Sequence, residues 1–187
     1  MGVAGSTLRI AGCAGIALVF ACALPAAASG ASLRGDFDGD GRDDLAVGVP
    51  FEDVASGANN DDGAVNVLYG GRRGLRTKGS QFLHQAKPGM AGEGAELNDE
   101  FGYSLAAGDF GSGGRADLAV GVRFEDVASG ANDGDGAVNV LYGGRRGLRT
   151  RGSQFLHQDK PGMAGDGAEL NDLFGCALPG SGGACVD

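Results

Sequence analysis

Beyond its N-terminus, the chain carries its apolar residues in short runs separated by glycine and Asn-Asp breaks, and no stretch holds a convincing 3.6-residue apolar period. FGYSLAAGD, from Phe101 to Asp109, alternates apolar and small residues. DLAVGV, from Asp44, is a continuous run of the buried type. GAVNVLYGG, from Gly63, alternates again and sets Val65, Val67 and Tyr69 on one face. SQFLHQ, from Ser80, is a fourth and weaker strand signal. The intervening ANNDDG and PGMAGEG read as turns.

This pattern occurs twice. Residues 36–102 align with 109–175 without a gap and with 11 differences among 67 positions, so every landmark moves by 73: Leu45 to Leu118, Tyr69 to Tyr142, His84 to His157, Phe101 to Phe174. Four short antiparallel strands per repeat predict an all-β chain built of β-propeller blades. The expected organisation is a signal peptide over 1–28, a first repeat over 29–100, a second over 101–173 and the truncated start of a third over 174–187. Rings close with about four to eight blades, so two make an incomplete propeller. Ala28-Ser29 stands where the first repeat should carry its Phe-Gly. The orphan start Phe174–Leu178 is a candidate for the missing strand; a fragment, or a protomer that closes by assembly of three or four chains, is the alternative.

Composition adds an address. Arg9 precedes an apolar run from Ile10 to Leu24, and Ala26-Ala27-Ala28 follows, the plan of a secretory signal peptide cleaved after Ala28. A lipid anchor at Cys22, or retention at the cell surface, is the alternative. Cleavage leaves Cys176 and Cys185, nine apart, which can close one disulfide in an oxidising compartment. With 38 glycines, no tryptophan and a net charge of -9, the chain is turn-rich and unsuited to nucleic acid.

Chemistry concentrates in DFDGDGRDD. Asp36, Asp38 and Asp40 occupy the first, third and fifth places, Gly41 the turn, Arg42 the seventh with its carbonyl, and Asp44 the ninth. That is the oxygen spacing a Ca2+ loop requires, since the ion takes six to eight hard oxygen ligands. It is no EF-hand: Val47 stands at the twelfth place, and a strand follows instead of a helix. A solvated acidic turn is the bland reading, against which the alternation, the glycine and the closing Asp44 together argue. In the second repeat Gly111 and Gly113 replace two aspartates, leaving Asp109, Asp117 and the Arg115 carbonyl. Calcium there is expected to be weak or lost.

Phe101-Gly102, the DxDxDG loop from Asp36 to Gly41, and Gly48-Val49-Pro50 where Gly-Ala-Pro is usual resemble the FG-GAP repeat. The resemblance covers nearly all of the chain beyond residue 28. It implies the propeller fold of integrin alpha heads, with the aspartate loop as a calcium site that stiffens the lower face while other loops take ligands. The function expected is a secreted, calcium-binding module for adhesion or recognition, its partner an extracellular protein or glycan. A propeller accessory to an extracellular hydrolase or phospholipase is the second reading; no segment outside the repeats remains for a catalytic domain, and no G-x-S-x-G elbow occurs. His84, His157, Tyr69 and Tyr142 are expected to pack, Arg72-Arg73 and Arg145-Arg146 to sit in solvated turns, and Asp62, Asp99, Asp135 and Asp172 to cap turns.

Overall fold

The computed structural model describes residues 32–54, 60–127, 134–180 and 185, so the expected signal peptide lies outside the described residues. The strands are β1 (Ser32–Gly35), β2 (Asp44–Val49), β3 (Ala64–Tyr69), β4 (Arg76–Leu83), β5 (Phe101–Gly108), β6 (Asp117–Val122), β7 (Ala137–Tyr142) and β8 (Arg149–Leu156). They form two four-stranded antiparallel sheets in the orders β1-β2-β3-β4 and β5-β6-β7-β8. These are two propeller blades, and among the described residues no ring closes.

The registers repeat with the sequence: Leu45 opposes Leu68 in the first blade and Leu118 opposes Leu141 in the second. Both outer pairs slip at the same place, between Val67 and Tyr69 and between Val140 and Tyr142. The innermost strands differ. β5 pairs from Phe101↔Val122 to Gly108↔Asp117, whereas β1 pairs only from Ser32↔Val47 to Gly35↔Asp44. Gly48 and Val49 therefore lack an inner-strand partner among the described residues.

Alternation in the strands decides what lies between the blades. Val65, Val67 and Tyr69 point from the first blade into the same buried cluster as Leu118, Val120, Val122 and Leu141 of the second. Phe37, the second residue of the aspartate loop, is fully buried in that cluster. The Phe-Gly that opens the second blade rests on the first: Phe101 donates its N–H to the Asp62 carbonyl at 3.0 Å. Gly102, at φ 94°, lies where a Cβ would meet the Ala64 carbonyl at 2.6 Å, so only glycine fits.

The third start does not supply a strand to the first blade. Phe174 donates its N–H to the Asp135 carbonyl at 2.8 Å, copying Phe101 one repeat on. The chain then turns, and Gly180 donates to the Leu105 carbonyl at 2.9 Å. Phe174 and Leu178 pack on Ala119, Val138 and Val140, on the outer face of the second blade. Pro179 cannot donate to a ladder, which suits a chain leaving a strand path here. Cys176 and Cys185 are disulfide-bonded, with Cα atoms 5.6 Å apart, and close a loop within this tail.

Candidate metal centre

The β1–β2 loop wraps around the carboxylate of Asp36. Its Oδ1 accepts the N–H groups of Gly39 and Asp40 at 2.8 and 3.0 Å, and its Oδ2 accepts that of Gly41 at 2.9 Å. Asp38 Oδ1 accepts the Asp40 N–H at 3.1 Å, and Asp40 Oδ1 accepts the Arg42 N–H at 3.1 Å. Gly41, at φ 82°, makes the turn that an L side chain resists. The outcome is a group of three carboxylates, Asp36, Asp38 and Asp40, with oxygens all within 4.8 Å of one another. Hard oxygens converging in this way fit a hard divalent cation, whose charge would offset their mutual repulsion. Two cations already stand at the rim: the Arg42 guanidinium is 2.8 Å from Asp40 Oδ2, and that of Arg76 is 3.9 Å from Asp38 Oδ2.

Asp44 is not one of this trio. It is fully buried, and its two oxygens accept the N–H groups of Phe37 and Gly70, each at 2.8 Å. It thus braces the loop against the end of β3. Burial pushes its carboxyl above the ordinary range, opposed by those two backbone hydrogen bonds. Asp117 makes the same brace in the second blade, accepting from Gly111 and Gly143 at 2.8 Å each.

The second loop keeps the fold without the trio. Asp109 accepts the N–H groups of Gly113 and Gly114 at 2.7 and 2.9 Å, as Asp36 does for its own loop. With glycines at 111 and 113, no three acidic groups converge there among the described residues. Arg115 turns its side chain to the first loop, donating from Nε to the Asp38 carbonyl at 3.4 Å and lying against Gly39. Ala116 donates its N–H to the Asp36 carbonyl at 3.0 Å. The first aspartate loop is therefore held by the next blade as well as its own, a support that no spacing within the loop could reveal.

A second acidic group lies at the opposite end of the sheets. Glu125, in the β6–β7 loop, is buried and accepts a hydrogen bond from Gln85 Nε2 of the first blade's β4–β5 connection. Burial first, and the nearby Asp99 carboxylate second, push Glu125 up to about 8. Burial likewise pushes Asp99 up to about 7. The turn roles expected for acids hold where they can be followed: Asp99 and Asp172 accept the N–H groups of Glu96 and Glu169. Tyr69 packs between the blades, and its hydroxyl meets Gln81 and the Leu148 N–H. His84 and His157 lie beside Phe82 and Phe155, with ring centroids 5.5 and 5.4 Å apart. No helix among the described residues is long and apolar enough to cross a membrane.

The FG-GAP repeat family model matches residues 30–68, which hold β1, the aspartate loop, β2 and all of β3 but Tyr69. Integrin alpha-IIb of Mus musculus is 34% identical over 136 residues, 72% of this chain and 12% of the relative. Integrin alpha-IIb of Homo sapiens is 33% identical over 147 residues, 78% of this chain and 12% of the relative. Integrin alpha-7 of Rattus norvegicus is 36% identical over 110 residues, 57% of this chain and 8% of the relative. The chain thus spans no more than 12% of the length of these relatives. Blades joined by a docked Phe-Gly, an aspartate loop between the first two strands, and these similarities together make the chain an FG-GAP repeat protein.

Proposed function

We propose that the chain is a secreted, calcium-stabilised propeller module that recognises an extracellular protein or glycan and does no chemistry of its own. The observation that carries the calcium reading is the convergence of Asp36, Asp38 and Asp40 in a loop whose neighbour, Phe37, is locked between the blades. Calcium would be held by those three carboxylates, with the Arg42 carbonyl and Asp44 as further ligands. Its role is structural: a cation that satisfies the trio fixes the loop, and the loop fixes the first blade against the second. Recognition then falls to the opposite end of the sheets, where the β2–β3 and β4–β5 connections are longest. What favours binding over catalysis is that the buried acids there are engaged in capping and inter-blade contacts. The integrin alpha relatives are consistent with a recognition role.

Thermal melting of the purified chain in calcium and in chelator tests the stabilising role. Calcium should raise the melting temperature, and replacing both Asp38 and Asp40 with alanine should remove the rise. A melting temperature indifferent to calcium and chelator in the unaltered chain would refute the site. Export is checked by N-terminal sequencing of protein recovered outside the cell, which should start just beyond Ala28. Material starting at Met1 or at a lipid-modified Cys22 would contradict this.

A further inference from the structure

We infer that copies of this chain join head to tail, the open outer face of the second blade in one copy receiving the first blade of the next.

The chain contains a worked example of the joint. Its two blades are near-identical in sequence and already pack front to back, so each residue buried between them has a repeat on one of the free faces. On the front, Phe37 is 0% exposed while its repeat Phe110 is 52% exposed. On the back, Leu148 is 3% exposed while its repeat Leu75 is 48% exposed, and Phe155 is 9% exposed against 37% for Phe82. The front of the second blade forms an apolar groove of about 680 Å³ lined by Phe110, Val138, Val140, Tyr142 and Leu156 among others. The back of the first blade is thus the surface whose own copy, one repeat on, already fills the equivalent place.

Polar groups match as well. Between the blades, the Leu148 N–H donates to Gln81 Oε1 at 3.0 Å and to the Tyr69 hydroxyl at 3.3 Å. Asn139 Nδ2 donates to the Ala91 carbonyl at 2.7 Å, and Thr150 Oγ1 to the Pro88 carbonyl at 2.8 Å. The sequence keeps every partner of these bonds on the free faces: Tyr142 and Gln154 for Leu75, Ala164 for Asn66, and Pro161 for Thr77. The ion pair of Arg123 with Glu100 at 3.5 Å, at the internal joint, is the informative exception. Its repeats are Pro50 and Leu173, so both charges are replaced together and neither is left to be buried alone at the new joint.

The tail completes the fit. Phe174 to Leu178 is the repeat of Phe101 to Leu105, the first half of β5, and it is already docked on the second blade. In the next copy, Phe174 and Ala177 would meet Val49 and Gly48, the positions that Phe101↔Val122 and Ser104↔Gly121 satisfy in the second blade. A joint of this heterologous kind propagates until it closes, and propellers close at about four to eight blades, which corresponds to two to four copies.

Light scattering on the purified chain over a dilution series tests this, together with Phe110→Asp and Leu75→Asp. Both residues are about half exposed in a single copy, so each variant should keep the unaltered β-sheet circular dichroism; one that does not is replaced by the serine substitution at the same site. The unaltered chain should form a discrete species of two to four copies, and each variant alone should be monomeric. An equimolar mixture of the variants should give a dimer, because each retains one intact face. The inference is overturned by an unaltered chain that stays monomeric throughout, by assembly that survives Leu75→Asp, or by a mixture that remains monomeric.

Discussion

Phe37 and Phe110 occupy the same place in two copies of one motif, yet the first is wholly buried and the second is half exposed. Asp36 and Asp109 likewise fold their loops by the same backbone hydrogen bonds, yet only the first loop gathers three carboxylates. The first contrast comes from position, since the first blade has a neighbour on that face. The second comes from substitution, since glycines remove the side chains. The second loop keeps this shape with two acids, Asp109 as the internal acceptor and Asp117 as the brace. What the extra aspartates add is charge, and concentrated charge is useful only if something positive holds it.

Replacing each phenylalanine with alanine probes the positional contrast, and the effect of Phe37→Ala should be the largest. Removing a fully buried aromatic from a core costs about 3–5 kcal/mol, read as a lower denaturant midpoint. Phe110→Ala should leave the stability of a single copy within about 0.5 kcal/mol, as exposed positions usually do. Equal losses at the two sites would mean that the second blade's outer face is covered in solution even when copies are dilute.

The braces come next. Asp44→Ala would leave the N–H groups of Phe37 and Gly70 without their acceptor, and Asp117→Ala those of Gly111 and Gly143. Each orphaned buried donor costs about 1–3 kcal/mol. In chelator the two losses should be alike, because the braces are alike. If Asp44 also binds the metal, its substitution should reduce the calcium-induced rise in melting temperature, while that of Asp117 should not.

Calcium itself sharpens the second contrast. Ligand at 100 times its dissociation constant stabilises a fold by about 2.7 kcal/mol, and extracellular calcium modules bind at about 10⁻⁴–10⁻³ M. Calcium near the upper end of that scaling should therefore give a clear rise, abolished when Asp38 and Asp40 are both alanine. Asp109→Ala should lower the baseline through its lost N–H partners and leave the calcium-induced rise intact. A rise that depends on Asp109 would place the cation in the wrong loop.

Much of this was legible beforehand because period-two alternation and a 73-residue repeat are properties of the chain alone. The faces of β3 and β7, the blade architecture and the trio follow from spacing. What could not be read depends on contacts between blades. β4 starts at Arg76 rather than at the SQFLHQ signal, because Arg76 to Ser80 are exposed on an outer edge and carry no apolar pattern. Asp44 has the spacing of a ligand, and only the fold shows both its oxygens serving backbone donors. The tail repeats a strand opening, yet it turns away at Pro179-Gly180 after docking. Glu125 belongs to a polar loop by composition, and its burial appears only once Gln85 of the other blade lies across it.

That last residue gives the subtlest test, in which the joint between blades is read through protons. Burial, by disfavouring the charged form, chiefly pushes the Glu125 carboxyl up to about 8 from the ordinary 4.5. Asp99, at about 7 against 3.8, adds to the same trend, and the nearby Glu96 and Glu93 push the same way. Between the unfolded and folded values the folded chain binds more protons than the unfolded one, so stability falls as pH rises through that window. One such carboxyl contributes at most about 1.4 kcal/mol for each pH unit. In chelator, which takes calcium out of the measurement, the chain should melt at progressively lower temperature from pH 5 to pH 8. Glu125→Gln keeps a hydrogen-bonding amide beside Gln85 and removes the proton, so it should flatten the slope by about one proton's worth and stabilise most at the alkaline end. If copies associate through the outer faces, Glu52 and Gln158 repeat Glu125 and Gln85 at the new joint, so the slope should be steeper in assembled than in dilute samples. A melting temperature that rises from pH 5 to pH 8, or a slope unchanged by Glu125→Gln, would mean that Glu125 is not buried between the blades in solution.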